Sequence, residues 1–201
     1  MNKIFIALGA AAAIAVAGCA ADTSDSTADE SQGNTAEQTG QASDAANGEY
    51  GVKSDAEILA VNRAYNRGEV RTSKIMEKIA VNAEVKAFAQ RMVEQHGAVL
   101  KEEKDLAAKI NVKFKSSPAS QQVTHITKAQ VKALDASMAK HKNADRKYMH
   151  FAVMDHQKLL SELDDELIKS AKNPQLKSFL KSERSAVKAH LEQAKAILAK
   201  L

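Results

Sequence analysis

The chain predicts an all-α fold of four long helices in two hairpins, on three observations. Only two of its 201 residues are proline and eight are glycine, so long stretches contain nothing that breaks a helix. Beyond residue 54, apolar side chains recur at alternating three- and four-residue steps, the spacing of one helix face. No window carries the sustained apolar–polar alternation of a strand.

In chain order, the first element stands outside the fold. Lys3 supplies a short positive start, and residues 4–16 form an uncharged apolar run. That run is too short to span a bilayer as a stable helix, which takes about 20 residues, and it reads as an export signal over residues 1–18. It ends in Val16-Ala17-Gly18-Cys19, which resembles the bacterial lipoprotein cleavage box. The resemblance implies cleavage before Cys19 and a lipid on its sulfur. Ala20, in place of an acid, implies the outer rather than the inner membrane, with the protein facing the periplasm. Cys19 is the only cysteine, which leaves it no disulfide partner within the chain.

Residues 19–53 are expected to be a disordered tether, because their Ser, Thr, Asp, Glu, Gln, Gly and Ala bury too little to offset ordering entropy. The tether holds seven acids and, before Lys53, no Lys or Arg. With those acids and Lys3 set aside, 28 bases face 18 acids, so the domain beyond carries about +10 against +4 for the whole chain. Such a domain is drawn to anionic surfaces such as phospholipid head groups. Nucleic acid is disfavoured by export and by the absence of Trp for base stacking.

Residues 54–201 make one domain. Ser54-Asp55 opens a helix to about Ala80, and Asn82 caps a second to about Ile110. A long connection broken by Pro118 follows, with a shorter helix over residues 127–139. A third long helix covers residues 144–171. Pro174 then sits in the first turn of a fourth, which runs to the C-terminus. Two hairpins joined by a longer crossover with a short extra helix is the layout of a ferritin-like four-helix bundle.

The buried stripes contain polar residues at one depth. Helix two reads Val85, Ala89, Met92, His96, Val99, Glu103; helix three, Met149, Val153, His156, Leu160; helix four, Leu180, Glu183, Val187, His190, Ala194; helix one, Ile58, Asn62, Tyr65, Glu69, Thr72, Met76. At 1.5 Å per residue, Glu69 and His96, like His156 and His190, lie level to within roughly a turn in antiparallel pairs. A carboxylate and three neutral imidazoles suit one divalent transition metal such as Zn, Cu or Fe. Asp155, Glu183 and Tyr148 are candidates for outer positions around it, and Gln95, one residue before His96, is either such a group or surface. His125 falls in the connection, His141 among lysines, and His150 on another face.

Aligned on the histidines, Phe88, Val93, His96 and Leu100 repeat at identical spacing as Tyr148, Val153, His156 and Leu160. The stretches RGEVRTSKIMEKIAVNAEVKAFAQRMVEQH, DRKYMHFAVMDH and AHLEQAKAIL resemble a bacterial family of exported ferritin-like proteins of unknown function, often labelled outer-membrane proteins. The resemblance covers residues 55–200, and its pattern falls on Glu69, His96, Asp145, Tyr148, His156 and His190. The chain departs from that pattern at Ala144, where the family has Phe, and at Ser185, where it has Pro.

Di-iron bundles place Glu three residues before His on one face. Here Val93, Val153 and Val187 occupy those positions, so the bridging carboxylates are missing and a single-metal site is expected. There is no nucleophile–base pair, phosphate-binding glycine loop or CxxC, and no enzyme is inferred. Two readings follow: an envelope lipoprotein with one bundle-bound metal, serving metal handling or envelope stress, or a metal-free structural and interaction module of the envelope.

Overall fold

A computed structural model describes residues 51–138 and 143–201. The expected export signal, Cys19, the expected tether up to residue 50 and His141 lie outside the described residues. The described chain is helical: α1 (Asp55–Ile79), α2 (Ala83–Lys109), α3 (Pro118–Met138), α4 (Ala144–Glu162), a π-helical turn (Leu163–Leu167), α5 (Ile168–Ser170) and α6 (Pro174–Leu198). Among the described residues no helix is long and apolar enough to cross a membrane.

Local chemistry sets the helix ends. Ser54 Oγ accepts from Glu57 N–H at 3.3 Å at the start of α1. Asn82 Oδ1 accepts from Glu84 and Val85 N–H at 2.8 and 3.2 Å at the start of α2, and Asn173 does the same for Gln175 and Leu176 at the start of α6. Each satisfies amides that the helix cannot. Asn111, at φ 54°, closes α2 in the left-handed region, and Val112 N–H reaches back to Ala107 C=O at 2.9 Å, as in a Schellman turn.

The crossover corrects the sequence expectation. Its helix spans 21 residues from Pro118, not a shorter stretch from Thr127. Pro118 begins the helix instead of breaking it, because a first-turn residue needs no N–H and proline already holds a helical φ. Ser117 and Ser120 cap it reciprocally: Ser120 Oγ accepts from Ser117 N–H at 2.9 Å and Ser117 Oγ from Ser120 N–H at 3.2 Å. His125 is therefore helical. The third long helix also differs, since the π turn interrupts it. Its fully buried stripe reads Met149, Ala152, His156, Leu159, Leu163, Leu167, with Val153 and Leu160 only partly buried.

α1 packs against α2 and α3, and α4 against α6. Two aspartates pin the turns of these pairs. Asp145, in the first turn of α4, accepts from Val81 and Asn82 N–H at 3.3 and 2.7 Å. Asp55, the first residue of α1, accepts from Lys172 and Asn173 N–H at 2.8 and 3.0 Å. Each hairpin turn is thus held by an acid from the opening helix of the other pair.

The core divides into two apolar clusters. One gathers Ile58, Leu59, Leu159, Leu163, Leu176 and Leu180; the other gathers Met76, Phe88, Met92, Tyr148, Met149 and Ala194. Glu69, His96, His156 and His190, all buried, lie along the helices between these two sets.

Candidate metal centre

His96 on α2, His156 on α4 and His190 on α6 meet in a near-equilateral triangle. Their ring centroids are 5.5, 5.2 and 5.4 Å apart for the 96–156, 96–190 and 156–190 pairs. One ring nitrogen from each lies within 4.8 Å of the others. The three residues are 2, 1 and 6% exposed, so the triangle is buried.

Hydrogen bonds fix which nitrogen each ring offers. Asn66 Nδ2 donates to Asn62 C=O at 3.0 Å and to Glu183 Oε1 at 2.7 Å, which leaves its Oδ1 facing His96. His96 Nδ1–H donates to that oxygen at 2.7 Å. His156 Nδ1–H donates to Ala152 C=O at 2.8 Å, and His190 Nε2–H donates to Gln95 Oε1. Each neutral imidazole has one N–H, and all three are used on acceptors outside the triangle. His96 Nε2, His156 Nε2 and His190 Nδ1 remain buried with no hydrogen-bond partner among the described residues.

Burial also fixes the charge. Desolvation, followed by the neighbouring imidazoles, holds His96 well below its ordinary range. Desolvation likewise lowers His156 and takes His190 to about 3. The rings are neutral at physiological pH, the state in which imidazole binds metal.

Glu69 stands one step outside the triangle. Its Oε1 is 3.5 Å from His156 Nδ1, the nitrogen on the outer edge of that ring. Its Oε2 is buried and without a partner, and burial raises its carboxyl to about 8. The structure therefore brings the three histidines together and sets Glu69 behind one of them.

The other candidates separate. Glu183 reaches the centre through Asn66, in the chain Glu183–Asn66–His96. Asp155 is held by Gln130 Nε2, at 3.0 and 2.8 Å from its two oxygens, and burial pushes it up to about 7. Tyr148 shares a 2.8 Å hydrogen bond with Ser73 and packs edge-on to Phe88 at 6.2 Å. Asn66 escaped the sequence reading. Its signal was a polar residue one turn after Asn62, off the alternating seam but on the same broad buried face. Gln95 carried no signal beyond adjacency to His96.

The fold and the site define a class: an all-helical protein with a closed three-histidine centre that can hold a metal ion. The chain belongs to the family described as "Domain of unknown function (DUF4142)", which matches residues 36–197. No curated protein and no solved structure matches it.

Proposed function

We propose that this is an envelope lipoprotein whose ferritin-like four-helix bundle binds one transition-metal ion, Zn, Cu or Fe, and serves metal handling or envelope stress. One observation carries the metal reading. Three buried imidazole lone pairs meet with no donor among the described residues, while every imidazole N–H is satisfied outside them. Unsatisfied buried acceptors cost about 1–3 kcal/mol each, and a metal ion would satisfy all three at once.

In this reading His96 Nε2, His156 Nε2 and His190 Nδ1 are the ligands. Asn66, Ala152 and Gln95 set the tautomers and hold the rings, as outer hydrogen bonds do in established metal sites. Glu69 would act across His156 as the compensating carboxylate, which refines the expectation of direct ligation. When bound, the metal would supply Lewis acidity or a redox centre.

Anchoring rests on the Val16-Ala17-Gly18-Cys19 box, and radiolabelled palmitate incorporation lost in Cys19→Ser tests it. The metal reading is tested by the metal content of protein purified from metal-supplemented medium. One equivalent per chain, lost in His96→Ala and His156→Ala, is expected. Substoichiometric metal in the parent protein would favour the alternative, a metal-free module whose buried polar residues fix helix register.

A further inference from the structure

Away from the histidines, α1 and α3 enclose an open cleft of about 1300 Å³. The two helices run parallel. Lys115 N–H bonds to Ala56 C=O at 3.0 Å at one end, and Gly68 meets Thr127 farther along. A Cβ on Gly68 would stand 2.6 Å from Thr127 Oγ1, so glycine is what lets the walls meet at this depth.

The charge in the cleft has one sign. Arg63, Arg67 and Arg71 line it from α1 and Lys128 from α3, beside the His125 side chain, and no carboxylate lines it among the described residues. The arginines stand four residues apart, so they repeat along one helix face about every 6 Å. Arg63 already has company: it lies 4.3 Å over the Phe114 ring and 3.8 Å from buried Glu103. Arg67, Arg71 and Lys128 make no ion pair with any described residue.

We infer that this cleft binds a soluble anion carrying several phosphoryl groups along a chain. Guanidinium forks pair bidentately with phosphate oxygens, and a row of them at one-turn spacing matches charge repeated along a ligand. Gln121 and Thr124 on the facing helix add neutral polar groups. A flat membrane surface would meet a convex basic face, whereas these cations line a concavity. Phe114 at one end holds Arg63 in place, which reduces the ordering cost of binding. The inference is independent of the metal reading.

The test uses inorganic tripolyphosphate as probe and calorimetric titration of the metal-free protein. One equivalent per chain is expected to bind, with affinity falling as salt rises. The double variant Arg67→Ala/Arg71→Ala should bind at least ten-fold more weakly. Lys181→Ala/Lys188→Ala, which removes equal charge from exposed positions on α6, should bind as the parent does. Circular dichroism of both variants checks that they are folded. No saturable binding, or an equal loss in the α6 variant, would overturn the inference. So would failure of tripolyphosphate beside vesicles of phosphatidylglycerol that bind in an Arg67- and Arg71-dependent way, since the cleft would then belong to a membrane surface.

Discussion

Each of the three imidazoles has its N–H turned outward and its lone pair turned inward, and this polarity is a property of single residues. Asn66 shows how it is enforced: two donated hydrogen bonds leave its oxygen one orientation, and that oxygen fixes His96. Glu69→Gln keeps the shape of the carboxylate beside His156 and removes its charge. Competition with a chelator of known affinity should find metal binding weakened about 10–100-fold in that variant, the usual effect of losing an outer partner; no change would remove Glu69 from the site. The carboxyl sits near 8 in the metal-free protein, so it must lose a proton to supply its charge. Metal affinity should therefore rise with pH toward 8 in the parent and flatten in the variant. The three histidines were legible because each interrupts an apolar stripe at a matching depth. Asn66 was not, because Asn on a helix is an ordinary surface residue until tertiary packing buries it, and Gln95 stood out only by its place next to His96.

At the scale of elements, caps and charge-clamped turns hold the hairpins. Asp145 and Asp55 each accept two backbone N–H bonds from a distant turn, and bonds to a charged acceptor contribute about 1.5–3 kcal/mol. Asp145→Ala and Asp55→Ala should each lower stability by about 1–3 kcal/mol in urea unfolding while leaving metal stoichiometry unchanged. Loss of metal together with stability would tie the clamp to the centre. The starts of α1, α2 and α6 could be read from Ser54, Asn82 and Pro174 because capping and a first-turn proline are local chemistry. α3 was misjudged because Pro118 was read as a break, although proline stops a helix from inside and starts one at its first turn. The π turn left no trace, since its leucines are spaced as in an α-helix.

For the whole molecule, two apolar clusters supply the packing, and the polar residues lie between them or at their edges. That arrangement makes the metal-free fold sensitive to pH. Burial raises Glu103 to about 8 and Glu183 to about 7, so the folded state keeps protons that the unfolded chain loses near 4.5. The folded state binds more protons across that window, and these groups make stability fall as pH rises through it. The depressed histidines act in the opposite sense below their ordinary 6.5. Comparison of Glu103→Gln with the parent isolates one term. The variant should gain on the parent from pH 5 to 8 in urea midpoints, and parallel curves would refute a buried, protonated Glu103. Metal bound only by the folded state adds about 2.7 kcal/mol at a free concentration one hundred times its Kd.

In the proposed centre three imidazoles, and not scattered surface groups, hold the metal. X-ray absorption at the edge of the bound metal tests it most directly. Three imidazole nitrogens at about 2.0–2.1 Å are expected for zinc, with the metal lost in His190→Ala combined with His96→Ala. A coordination sphere of oxygens without imidazole scattering would contradict it.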